Sequence, residues 1–253
     1  MDFSYTKEQK MLEDAVKEFV KKEIIPVCLE FEDDHDGKLA HSVITKTAQA
    51  EILGLVVPEQ YGGGGGRGIE ANIALENIAY GDVGIACAIG ASWWGQTAIL
   101  MKGSPEVRDE WFPKLASKKE AHLVCMALTE PSGGTDVEDP AMGFKTLQTI
   151  ATIEGDEVVL NGRKMWPSNF DVASLYVVGC TVDPQKGEEG SLLLAVPAGT
   201  KGLSTGKNER KMGHHADRNG EIIFDNVRVP KQNMIGKVGE GVKILHRTLI
   251  YNR

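Results

Sequence analysis

Apolar positions recur every three or four residues through roughly the first 120 residues, and at about every second residue beyond them. Met11, Leu12, Val16, Phe19 and Val20 form one helical stripe. It is opened by Thr6-Lys7-Glu8-Gln9, where the Thr hydroxyl and the Gln side chain have the spacing of a capping box. Pro26 is expected to end that helix. A second helix is expected over 42–52, stopped by Gly54, with a short apolar connector at 55–58. Helical spacing returns over 70–80 and in the Ala-rich run 85–101. Ser104-Pro105 then supplies an N-cap and a first-turn proline for a helix through Trp111.

Near Ala121 the period shortens. Runs at 149–153 and 157–160 flank Gly155-Asp156, a hairpin signal, and Asn161-Gly162 reads as a second turn. Further β-rich runs occupy 174–182, 191–196 and 221–229, closed by Pro230. From 239 to 253 helical spacing resumes through Val242, Leu245 and Leu249. The pattern predicts an α+β protein: an all-α helical domain (1–121), an antiparallel β-barrel or sheet domain (122–232), and the first helix of a further helical domain (233–253). The apolar face of that last helix lacks company within the sequence.

Composition narrows the function classes. A 42% apolar and 25% charged chain has ample material for a core. With 28 basic and 36 acidic residues the net charge is −8, which argues against an electrostatic nucleic-acid binder. No apolar run is expected to approach the roughly 20 residues that cross a bilayer, and the N-terminus has no signal or transit character. Cys28, Cys87, Cys125 and Cys180 are scattered in apolar company without a CxxC pair, so core thiols in a reducing cytoplasm are expected. The acidic Asp33-Asp34-His35-Asp36 reads as a solvated loop. Five glycines at 62–66 lack the Gly-Lys-Ser/Thr of a P-loop and read as a floppy connector.

Candidate chemistry is concentrated in two stretches. Residues 124–137 begin as a strand and break at Thr129-Glu130-Pro131 into Ser132-Gly133-Gly134, a turn poor in side chains that lets backbone N–H groups approach a ligand. Residues 164–169, Lys-Met-Trp-Pro-Ser-Asn, place an indole beside a hydroxyl and an amide. Each alone reads as a turn or as core packing. Together they suit a planar, polar-edged cofactor such as a flavin.

These residues resemble the acyl-CoA dehydrogenase family. The likeness is carried by LTEPSGGTDV (128–137) and KMWPSN (164–169), together with FSYTKEQKML (3–12), VVPEQYGG (56–63), GSPEVRDEWFPKLAS (103–117) and the block 211–236. The resemblance implies FAD as cofactor, with Met126, Leu128 and Thr129 along the flavin edge and Trp166 and Ser168 flanking its ring. It implies substrate contacts from Thr135 to the pantetheine or thioester arm and from Tyr251, Asn252 and Arg253 to the acyl-CoA. The implied reaction is α,β-dehydrogenation of an acyl-CoA thioester, with electron-transferring flavoprotein as acceptor, in a homo- or hetero-oligomer whose neighbouring subunit completes the flavin site.

The sequence also departs from the family. The usual base is a Glu of the C-terminal helical domain; some members carry it on the first helix of that domain, at the position of Asn252, an amide that cannot act as a base. The chain is therefore expected to be a short subunit completed by a separate polypeptide, or a truncated form of a longer one. Glu130 reads as a structural or interface carboxylate. His215 replaces a family Arg, and His214-His215 reads as loop residues near a subunit contact. Trp93-Trp94, with Gly90, falls where the family shapes its acyl pocket, and core packing of both indoles is an equal reading. A non-catalytic structural subunit is the alternative function, and a flavin oxidase or monooxygenase a weaker third.

Overall fold

The computed structural model describes residues 4–139 and 145–252, without the side chains of Val137, Glu138, Tyr251 and Asn252. The helical part comprises α1 (Lys7–Phe19), α2 (Lys38–Gln49), α3 (Gly68–Gly81), α4 (Val83–Lys102) and α5 (Pro105–Leu115). Eight strands follow: β1 (Val124–Ala127), β2 (Ile150–Glu154), β3 (Glu157–Ser168), β4 (Leu175–Thr181), β5 (Ser191–Pro197), β6 (Leu203–Asn208), β7 (Asn219–Pro230) and β8 (Met234–Ile235). A last helix, α6, covers Gly241–Asn252. The α-then-β-then-α order is the one the periodicity predicts.

The chain forms two compact units. One holds 1–90, 112–122 and 210–217; the other holds 91–111, 123–209 and 218–253. In the first, the Thr6 hydroxyl accepts from Gln9 N at 3.2 Å while Gln9 returns a bond to Thr6 N at 3.0 Å, so the expected capping box is formed. Pro26 does not stop the chain from winding. The α1 helix loosens to a π-turn over Val20–Ile24 and tightens to a 3-10 stretch over Ile25–Glu32, and Pro26 sits in the first turn of the latter, where its missing N–H is no loss. The glycine run is not floppy either. Gly64, Gly65 and Gly66 N–H donate to the carbonyls of Gly54, Val57 and Leu55 at 3.1, 2.9 and 2.8 Å. A Cβ on Gly63 would lie 2.2 Å from the Val57 carbonyl oxygen, so only glycine allows this approach.

The second unit is built on one eight-stranded sheet in the order β6-β7-β3-β2-β4-β5-β8, with β1 paired to β4. It is mostly antiparallel, but β1 runs parallel to β4, and β2 meets β4 in parallel at Ile150 and Thr181. All four residues of β1 are buried, as a strand covered on both faces requires. One side of the sheet closes over a core that includes Cys125, Leu160, Phe170, Val178, Leu194 and Phe224. Asn161-Gly162 is not a turn: β3 continues through it to Ser168, and the register shift between Leu160 and Gly162 sets one β3 residue against Asn226 and Asp225, so the extra residue lies on β7. The strand β6, unmarked in the sequence pattern, has mostly exposed residues and pairs at the sheet margin with β7.

The α4 helix corrects the expectation about apolar runs. It is long and apolar enough to cross a membrane, but 61% of its most apolar window is buried within the protein. It thereby resembles a core helix.

Candidate functional site

The β1 strand ends its ladder at the Ala127–Val178 pair, and the chain then turns away from β4. The turn is closed by Glu130 N donating to Gly133 O at 2.8 Å and Gly133 N to Glu130 O at 3.2 Å, with Pro131 and Ser132 at its tip. Leu128 and Thr129 therefore lie between a strand and a turn. Among the described residues, no acceptor takes up their N–H groups.

Opposite them runs the end of β3. Alternation along β3 puts Val158, Leu160, Gly162 and Lys164 on one face, and continued regularly it would send Trp166 the same way. A bulge between Met165 and Ser168, paired with Glu221 and Asn219 of β7, re-aims it. Trp166 has a φ of 61° and Asn169 one of 64°. The Asn219 side chain donates to the Trp166 carbonyl at 3.0 Å, and the indole N–H reaches Glu209 Oε1 at 3.3 Å. The result is a bulky indole left 54% exposed. Asn169 is buried and donates to the Val124 carbonyl at 3.2 Å, tying the bulge to β1.

The two stretches line one cleft of about 250 Å3. Met126, Leu128, Thr129, Gly134 and Thr135 form one wall, and Met165, Trp166, Pro167 and Ser168 another. Ala91 and Trp94 of α4 close it. Six residues singled out in the sequence, Met126, Leu128, Thr129, Thr135, Trp166 and Ser168, thus share one cavity. Tyr251 and Asn252 belong to α6, but their side chains, and Arg253 altogether, lie outside the described residues. The two tryptophans separate: Trp93 is buried in the core, and Trp94 faces the cleft with its N–H bonded to Thr248 Oγ1 at 2.8 Å.

Behind the cleft lies an ion pair that the sequence reading did not find. Lys164 is fully buried; its ammonium donates to Glu130 Oε1 at 2.7 Å and to the Leu128 carbonyl at 2.9 Å. Glu130 also accepts from Gln148 N at 2.5 Å and Thr149 N at 3.0 Å, so both its oxygens are occupied. Burial pushes the Lys164 pKa down, and the adjoining Glu130 carboxylate opposes that shift. The signal was available, since a lysine on the inward side of β3 demands a buried carboxylate. No carboxylate lines the cleft itself among the described residues.

His214 and His215 face different partners. His214 Nδ1 is 3.7 Å from Cys87 Sγ, and His215 Nε2 is 2.9 Å from the Lys211 carbonyl oxygen. Burial, with Asp217 next in effect, pushes the Cys87 thiol up.

A flat, polar-edged ring system fits the donors present: backbone N–H groups on one wall, a hydroxyl and an exposed indole on the other. The N-terminal domain model of acyl-CoA dehydrogenases matches residues 6–119, and the middle-domain model matches residues 125–227. The short-chain-specific acyl-CoA dehydrogenase of Clostridium acetobutylicum is 33% identical over 251 residues, covering 98% of this chain and 63% of the relative. The glutaryl-CoA dehydrogenase of Desulfococcus multivorans is 33% identical over 257 residues, covering 100% and 63%. Among solved structures, butyryl-CoA dehydrogenase from Megasphaera elsdenii superimposes with a TM-score of 0.88 at 32% identity, covering 100% of this chain and 64% of that one. A chain from a study of the electron transferring flavoprotein of Acidaminococcus fermentans gives 0.90 at 33% identity, with the same coverage of 100% and 64%. This chain thus spans less than two thirds of the length of these relatives.

Proposed function

The chain belongs to the acyl-CoA dehydrogenase family, and from that premise we propose that it supplies the FAD cleft and part of the substrate site for α,β-dehydrogenation of an acyl-CoA thioester. Two-electron oxidation of a Cα–Cβ bond is the chemistry that a flavin held here supplies. The N–H groups of Leu128 and Thr129 bind its polar edge, with Met126 beside them. Trp166 covers one face of the ring, and the Ser168 hydroxyl bonds the ring's central edge. Thr135 orients the thioester arm, and Tyr251, Asn252 and Arg253 meet the acyl-CoA. In this reading the helical part up to residue 121 and the β-domain over 122–232 act together with a further helical domain that begins at 233.

The carboxylate that removes the α-proton comes from outside this chain, from a further domain or a partner subunit. Two things support this: among the described residues no carboxylate lines the cleft, and Glu130 already serves Lys164 and two backbone amides. Electron-transferring flavoprotein is the acceptor, and the working form is an oligomer. The observation that carries the proposal is the sharing of one cleft by Met126, Leu128, Thr129, Thr135, Trp166 and Ser168.

The test is a titration of FAD into the purified protein, alone and with a helical partner that bears a Glu. Bound flavin should shift its absorption and fluorescence, and Trp166→Ala should weaken binding by roughly tenfold, about 1.4 kcal/mol. Addition of a short acyl-CoA should bleach the flavin only when the partner is present. A flavin spectrum unchanged under both conditions would overturn the proposal in favour of a non-catalytic structural subunit.

A further inference from the structure

The buried Lys164 touches the cleft through one peptide group. Its ammonium donates to the Leu128 carbonyl oxygen at 2.9 Å. That oxygen and the Thr129 N–H belong to the same planar, conjugated unit. A cation on the oxygen draws electron density away from the nitrogen and makes its N–H a stronger donor. Linked hydrogen bonds strengthen one another by roughly 10–30% each. Thr129 lines the cleft, and its N–H has no acceptor among the described residues.

The neighbouring peptide is a useful contrast. Met165 N donates to the Thr129 carbonyl at 2.8 Å, which polarises the next N–H, but that one is already used by Glu130 N on Gly133 O. Of these two donors, the Thr129 N–H is the one both polarised by a full charge and available to a ligand. Glu130 holds the cation in place, and is itself held by Gln148 N and Thr149 N.

We propose that Lys164 is a positioning residue that acts through the Leu128–Thr129 peptide, strengthening the Thr129 N–H toward the carbonyl edge of a bound flavin and favouring its reduced, more electron-rich form over the oxidised one. This rests on the flavin reading above.

The test uses the full chain as Lys164→Met/Glu130→Gln, in which both buried charges are removed together so that neither is left unpaired. The first readout is the Thr129 amide in 15N-labelled protein without FAD. Its proton resonance should move upfield in the double variant while the amides of β6 stay in place. The second is the flavin midpoint potential. Affinity for reduced FAD should fall about tenfold more than for oxidised FAD, a drop of about 30 mV for a two-electron couple. A folded double variant with both readouts unchanged overturns the proposal and leaves the pair a purely structural tie.

The unaltered protein provides an independent measurement should the variant fail to fold. Its Leu128 carbonyl carbon should be deshielded by the charged donor, and an ordinary resonance position there overturns the proposal. If the wild type takes up no FAD, the flavin reading fails by itself, and the amide and carbonyl resonances still decide what Lys164 does to the peptide.

Discussion

Trp166 breaks two habits of its residue type. It is an aromatic at positive φ, a region that disfavours residues with a Cβ by about 1–2 kcal/mol, and it exposes more than half its surface. Such strain persists where surrounding bonds impose it, here the Asn219 amide on the Trp166 carbonyl. Trp166→Asn, which places a residue tolerant of that conformation, should therefore change stability by less than about 1 kcal/mol. The same substitution should weaken FAD binding by roughly tenfold, as expected for Trp166→Ala. Thermal melting and flavin titration on one sample separate the two effects, and a large loss of stability would mean that the indole is core after all.

The cysteines make a second residue-scale case. Cys125 and Cys180 are fully buried, and burial pushes the Cys180 thiol up to about 12. Cys28 and Cys87 are only half-buried. A maleimide should label those two in the native protein and reach the other two only on unfolding, as mass spectrometry of tryptic peptides would report. The sequence placed all four in apolar company, but it could not rank them, because burial depth is a property of the packed sheet.

Among the elements, β3 carries the most information. Its inward positions were legible as an alternating pattern, and so in principle was the oddity of Lys164 among them. Its two irregularities were not. Asn161-Gly162 has the composition of a turn, yet the strand passes straight through it, because Gly162 lies against Thr149. A Cβ at Gly162 would sit 2.6 Å from the Thr149 Cα, and its φ is 149°. Gly162→Ala should thus destabilise the protein by about 1–3 kcal/mol in denaturant melts. A harmless substitution would mean that the turn-like composition, and not the close approach, explains the glycine. Pro26 misleads in the same manner: a residue that ends α-helices is compatible with the first turn of a 3-10 helix.

For the whole molecule, the consequence of the proposed function is thermodynamic linkage. A ligand bound only by the folded state at a hundred times its Kd adds about 2.7 kcal/mol. For a chain of this size that corresponds to a rise in Tm of roughly 5–10 °C. Calorimetry with FAD should show that rise in the transition of the unit that holds the cleft. No rise at saturating FAD would argue that the cleft accepts something else.

The order of helical and β regions, the capping box at Thr6, and the two stretches that meet in the cleft were all fixed by local pattern, because period and turn chemistry are written residue by residue. The parallel pairing of β1 with β4, the bulge that turns Trp166 out of its alternation, and the Lys164–Glu130 contact were decided only by the tertiary structure. Each depends on which distant backbone lies alongside, and that is settled by packing across the sheet.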